Sequence, residues 1–300
     1  MKTRWFLLAA CILTLRLCAQ DFHVPDKLDL KLPNKEGSLR IAVIGDQGDA
    51  SPSQFQIAEL MTAYHKVFPF SIVLMNGDMI YGSHEPEDYA KKFEKPYREL
   101  LAQGVKFYGT LGNHDHPDES KYPGFHMNGQ VYYTFSPRAG VRFFALDTNL
   151  PDAEQAKWLK GELAKSKGDW KIVFSHHPAY SSARTHGPSL SVQRFFVPLF
   201  IQYGVQVVFA GHDHVYERLN LRDGVQYFTE GSSGKLRKGD LQKSAETAVG
   251  YDQDNTFMLV EIDGDQLHFQ TVSRTGEIVD SGVVPESRKK KQEEAAAASH

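Results

Sequence analysis

Apolar runs of strand length alternate with helix-length amphipathic segments from residue 39 to residue 210, and no other feature restricts the fold as much. The runs at 39–45, 71–76, 105–110, 141–147, 170–175 and 205–210 have the length and side-chain character of strands. Helices are expected over 52–67, 87–103, 153–165 and 190–203. Several strands are apolar without alternation, such as Ser71-Ile72-Val73-Leu74-Met75 and Val205-Gln206-Val207-Val208-Phe209. A strand of that kind must be covered on both faces, which βα units achieve for parallel strands. Past Val225 the pattern turns β-rich without helices, with strands expected over 256–262, 266–273 and 277–283. These patterns define an α/β domain over 39–284, built on two packed sheets.

The two ends read differently. Lys2 and Arg4 precede an apolar run over 5–17, the order of charge and hydrophobicity in a secretory signal peptide. Cleavage is expected after Ala19, and the run is too short to span a bilayer. Loss of 1–19 would remove Cys11 and Cys18, the only cysteines, so the mature chain could form no disulfide and offer no thiolate. A secreted or periplasmic location follows, without stable membrane insertion of the mature chain. Residues 20–38 are expected as an N-terminal lead-in and 285–300 as a flexible tail, whose Arg288-Lys289-Lys290-Lys291 cluster is offset by Glu293 and Glu294. With 34 basic against 37 acidic residues, the chain lacks the basic footprint of a nucleic-acid binder, and specific nucleic-acid binding is not expected.

The chemistry lies where the strands stop. The first strand runs into Gly45-Asp46-Gln47-Gly48 and the second into Gly77-Asp78-Met79-Ile80-Tyr81. The third leads to Gly112-Asn113-His114-Asp115, a later one to His176-His177-Pro178, and the last of the series to Gly211-His212-Asp213-His214. In α/β sheets, ligands bind beyond the carboxyl ends of the strands. A single Gly-Asp after a strand is usually a turn, and a single histidine usually a packed side chain. Five such segments in series are a donor set. Asp46, Asp78, Asn113, His176, His212 and His214 mix hard oxygen with borderline nitrogen and contain no sulfur, which suits first-row ions better than Ca²⁺. With Tyr81 the donors are too many for one ion and suit two sharing a carboxylate.

In these five segments the sequence resembles the calcineurin-like metallophosphoesterases, whose blocks are GDxG, GDxxY, GNH(D/E), VxxH and GHxH; the fourth is Val173-Phe174-Ser175-His176. Within them it is similar to the purple acid phosphatases of the small, single-domain type. Most other members carry a histidine where Gly48 stands, whereas the purple group uses the tyrosine found here as Tyr81. The resemblance implies a four-layer α/β/β/α sandwich of two mixed sheets. It also implies one metal on Asp46, Asp78, Tyr81 and His214, and a second on Asp78, Asn113, His176 and His212. Fe³⁺ is expected at the Tyr81 site and Fe²⁺, Zn²⁺ or Mn²⁺ at the other.

The implied activity is hydrolysis of phosphate monoesters on small phosphorylated substrates, by in-line attack of a metal-bound hydroxide. His114 would serve the phosphate and the leaving oxygen, with Asp115 orienting it, and His186 would face the substrate. His177 and His116 neighbour the donors, and His84 and His126 are placed at the rim. His23, His65, His268 and His300 are expected as ordinary surface residues. A phosphodiesterase or nucleotide-cleaving enzyme with the same metals is the alternative within this chemistry. A secreted metal-binding or adhesion protein without turnover is the alternative outside it. The sequence leaves the oligomeric state open.

Overall fold

The computed structural model describes residues 22–285, so the expected signal peptide and the tail from 286 onward lie outside the described residues. Thirteen strands are present among these residues: β1 (Leu39–Ile44), β2 (Ile72–Met75), β3 (Lys106–Gly109), β4 (Tyr133–Arg138), β5 (Val141–Ala145), β6 (Trp170–Phe174), β7 (Val207–Ala210), β8 (Tyr216–Leu219), β9 (Gln226–Glu230), β10 (Thr247–Tyr251), β11 (Thr256–Asp263), β12 (Gln266–Ser273) and β13 (Ile278–Pro285). They form a six-stranded sheet in the order β13-β12-β11-β1-β2-β3 and a seven-stranded sheet in the order β10-β8-β9-β7-β6-β5-β4. Both sheets are mixed. In the first, β1, β2 and β3 are parallel and β11 pairs antiparallel to β1. In the second, β5, β6, β7 and β9 are parallel, with β4 and β8 antiparallel at their flanks.

The pleat explains the uninterrupted apolar runs. Ile172 and Phe174 of β6, and Val207 and Phe209 of β7, enter the core between the sheets. Val173 and Val208 point to the other face, where they meet Leu159, Leu163, Val192 and Phe200 of the covering helices. Those helices are drawn from α1 (Pro52–Val67), α2 (Pro86–Tyr89), α3 (Arg98–Ala102), α4 (Ala153–Lys165), α5 (Leu190–Phe195) and α6 (Val197–Tyr203). The first sheet is covered by α1 through Ile57, Met61 and Tyr64. The sheets meet face to face, as in the edge-on contact of Phe228 with Phe269 at 4.9 Å. The result is the expected four-layer sandwich.

Caps start the longer helices: Ser51 accepts from Gln54 N at α1, and Asp152 from Gln155 N at α4. The helix expected over 87–103 is instead three pieces, with a wide turn at Ala90–Glu94 in which Lys95 N bonds back to Ala90 O. Pro96 lacks the donor needed to continue the ladder. The helix expected over 190–203 likewise divides before Val197, with Pro198 in the first turn of α6. Among the strands the sequence pattern did not separate, β4 lies at a sheet edge, and its register slips between Phe135 and Arg138, around Pro137. The lead-in lies against the first sheet, where Lys31 N bonds to the Gln270 side chain and the Asn34 and Lys35 amides bond to Glu261.

Candidate metal centre

The carboxyl ends of β1, β2, β6 and β7 come together at one edge of the sandwich; backbone bonds tie neighbouring strand ends within each sheet, and the bond from Asn76 Nδ2 to Ala210 O at 3.1 Å joins the two sheets. Asp46 N bonds to Gly77 O at 3.1 Å, Gly48 N to Asp78 O at 3.2 Å, and Gly211 N to His176 O at 2.8 Å. Three of the expected donors are in the left-handed region: Asp46 at φ 55°, Asp78 at φ 51° and His212 at φ 70°. That conformation is uncommon outside glycine and persists only where the surroundings enforce it. The neighbouring glycines are required by space as well. A methyl on Gly77 would lie 2.7 Å from His176 Cγ, and one on Gly112 would lie 2.8 Å from Asp78 Cγ.

Two donor groups result. Asp46 Oδ1, the Tyr81 hydroxyl and His214 Nε2 form a triangle with sides of 3.1, 3.2 and 3.3 Å. His176 Nε2 stands 3.0 Å from Asn113 Oδ1, 3.1 Å from His212 Nδ1 and 3.5 Å from Asp78 Oδ1. Asp78 belongs to both: its carboxylate also lies within 4.8 Å of the donor atoms of Asp46 and His214. Metal–oxygen and metal–nitrogen bonds of about 2.0–2.2 Å put adjacent donors roughly 3 Å apart, which is the spacing seen here. The residues fit two ions that share Asp78.

Electrostatics agree with that fit. Asp46 is fully buried, and burial together with the nearby Asp78 charge pushes its carboxyl well above the usual range. Burial holds the imidazoles neutral, lowering His176 and His212 and bringing His214 down to about 3. Neutral imidazole is the ligand form, and cations would relieve the crowding of carboxylates. His176 Nδ1 lies 2.9 Å from Asn76 O, which leaves Nε2 facing the other donors. Gly48, where the resemblance puts a histidine in most members outside the purple group, has no room for one: a methyl there would lie 2.7 Å from Ile80 N.

The remaining expected residues divide. His114 is exposed and its ring lies tilted against Tyr81 at 4.7 Å, while its amide donates to Asp78 Oδ1 at 3.0 Å. His186 stacks on His212 at 4.2 Å, so both border the donor groups. Asp115 is turned away. Its carboxylate accepts from Ile80 N at 2.9 Å and Gly112 N at 2.8 Å, and burial raises it to about 7. It braces the loop, and no hydrogen bond to His114 occurs among the described residues. His177 packs on His212 at 4.3 Å with Nδ1 3.1 Å from Thr148 Oγ1. His116 is engaged with Asp118 N at 3.2 Å, His84 with Glu119 at 2.6 Å and His126 with Phe107 O at 2.9 Å. His65 and His268 are half-buried rather than plainly exposed. Two residues not singled out in the sequence also reach the centre. Lys235 Nζ stands 4.7 Å over the Tyr81 ring, and Arg237 follows a backbone bond from its N–H to His214 O at 3.0 Å.

A two-sheet sandwich with paired carboxylate and imidazole donors at one strand edge defines a class, the dimetal phosphoesterases. The chain belongs to the calcineurin-like phosphoesterase family, whose sequence model matches residues 39–216. It is therefore a metal-dependent phosphoric ester hydrolase. Tartrate-resistant acid phosphatase type 5 of Oryctolagus cuniculus is 27% identical over 74% of this chain and 82% of its own length. Among solved structures, GAP50, the anchor in the inner membrane complex of Plasmodium, superposes with a TM-score of 0.70 at 20% identity, over 83% of this chain and 89% of its own. The purple acid phosphatase PPD1 from yellow lupin superposes at 0.69 and 18% identity, over 85% of this chain and 55% of its own. These superpositions establish the fold.

Proposed function

We propose that the protein is an acid phosphatase acting on phosphate monoesters, with Asp46, Asp78, Tyr81 and His214 holding one ion and Asp78, Asn113, His176 and His212 the other. The carrying observation is the pair of adjoining donor groups with Asp78 reaching both. The phenol and two carboxylates of the first group favour Fe³⁺, and the imidazole-rich second group favours Fe²⁺, Zn²⁺ or Mn²⁺. When bound, such a pair supplies a water nucleophile at neutral pH and neutralises charge on the phosphoryl oxygens. The chain does the rest. Asn76 O fixes the His176 ring, and Asp115 holds the loop that presents Asn113 and His114. His186 binds a phosphoryl oxygen from the His212 side, and the His114 ring N–H donates to the leaving oxygen. Such proton donation is typically worth about 10²–10⁴-fold.

Lys235 and Arg237 add positive charge to this surface, which suits a dianionic monoester better than a monoanionic diester. The apolar leader at 5–17 supports a secreted or periplasmic location. No helix among the described residues is long and apolar enough to cross a membrane. The test is the ratio of kcat/KM for p-nitrophenyl phosphate to that for bis-p-nitrophenyl phosphate, on protein loaded with iron and zinc between pH 5 and 8. A ratio above about ten supports the monoesterase reading, and a ratio below one transfers the activity to diesters.

A further inference from the structure

Both cations beside the donor groups come from one short segment. After β9, the chain runs Gly231-Ser232-Ser233-Gly234-Lys235-Leu236-Arg237 along the first donor group. Ser233 N bonds to Gly45 O at 3.1 Å, Lys235 N to Asp46 O at 3.1 Å and Arg237 N to His214 O at 3.0 Å, so the segment is fixed to two of the donor residues themselves. Lys235 shares its charge with Asp49, 3.5 Å away. Arg237 has no such partner: it forms no ion pair among the described residues, and its Nη1 is buried without a hydrogen-bond acceptor. Its backbone N–H is held on His214 O at 3.0 Å, so the side chain starts beside the first donor group. A buried guanidinium nitrogen lacking an acceptor is costly unless something supplies one.

We infer that Arg237, assisted by Lys235, forms a subsite for a second anionic group on the substrate, so that the preferred substrates are phosphomonoesters carrying a further carboxylate or phosphoryl group. This rests on the phosphomonoesterase reading above. The planar fork of arginine matches either anion in bidentate fashion, and a lysine beside it adds charge without imposing geometry.

The test separates this subsite from the reaction. Binding to the metal-loaded protein is measured by calorimetry for phenylphosphonate, 3- and 4-phosphonobenzoate and 1,4-phenylenediphosphonate, none of which can be hydrolysed. The wild-type protein is expected to bind at least one of the doubly anionic ligands about tenfold or more tightly than phenylphosphonate. In Arg237→Ala that selectivity ratio is expected to fall about tenfold, with Arg237→Lys intermediate. The ligand losing most identifies the second anion as carboxylate or phosphoryl. A ratio near one in the wild type, or a ratio unchanged in Arg237→Ala, overturns the subsite. Hydrolysis of phenyl phosphate by the wild type reports the parent reading separately: turnover without selectivity sinks only the subsite, whereas absence of turnover with both metals bound sinks the phosphatase reading.

Discussion

Replacing Gly112 by alanine isolates the placement of one carboxylate from everything else in the centre. Gly112 does not require a left-handed backbone, so alanine adds only a methyl group. That methyl would lie 2.8 Å from Asp78 Cγ and closer still to Asp78 Oδ1 and N. Carbon contacts settle at about 3.5–4.0 Å, so the Asp78 side chain or the Gly112 loop must retreat by roughly 1 Å. The loop is held by Asp115 on Gly112 N, and Asp78 by the His114 amide on its Oδ1, so neither yields freely. Overpacking of this kind costs about 1–3 kcal/mol of stability. A misplacement of about 1 Å at a reacting centre costs on the order of 10²-fold in rate. The expected variant is folded, melts a few degrees lower and has kcat/KM for p-nitrophenyl phosphate reduced about 100-fold, with fewer than two metals bound per chain. Steady-state kinetics, metal analysis and thermal melting would be run on the same preparation. A variant within threefold of wild type and carrying two metals refutes the role given to Asp78.

Three further outcomes are expected. Tyr81→Phe removes the hydroxyl that completes the first donor triangle, so the visible absorption of the iron-loaded protein should disappear; a persisting band would take Tyr81 out of the ligand set. Glu230 is fully buried on Thr256, and burial raises its carboxyl to about 8. A folded-state value above the unfolded one means the folded protein retains a proton that the unfolded chain has lost, so this residue's contribution falls as pH rises through 8. In metal-free protein, Glu230→Gln should therefore narrow the loss of urea resistance between pH 6.5 and 8, and parallel curves for the two proteins would contradict the assignment. Gly161 lies inside α4 with nothing within 4 Å of the place an added methyl would take, so Gly161→Ala should stabilise the fold by about 0.5–1 kcal/mol in urea titrations and leave turnover alone.

What could be read from the sequence depended on whether the determining contacts were local. The strands carrying Asp46, Asp78, His176 and His212 announced themselves because a doubly covered strand must be apolar throughout, and each donor follows its strand directly. The helices expected over 87–103 and 190–203 were carried across Pro96 and Pro198 on their apolar periodicity alone, although a proline's missing backbone donor interrupts its own turn. Strand β4 was obscured because an edge strand tolerates Pro137 and a register slip. Asp115 is the instructive case. Adjacency to His114 suggested an orienting carboxylate, yet Asp115 accepts from two backbone amides, Gly112 N and Ile80 N, and one of them comes from a different strand-end loop.

Lys235 and Arg237 were hidden for a topological reason. Sequentially they sit in a Gly- and Ser-rich run that reads as a surface connection. Spatially, β9 runs parallel to β7, so its carboxyl end emerges at the same edge as that of β7, the strand delivering His212 and His214. Any segment leaving β9 must therefore pass the metal centre. Yet the pairing that places it there joins residues 207–210 to 226–229 with the antiparallel strand β8 inserted between them in sequence. No local pattern encodes that adjacency. The proposed donors belong to strand ends whose place is set by the sheets themselves. The cations belong to a connection whose length and composition can vary without disturbing the sheets, and that is where this chain would set its preference among phosphorylated substrates.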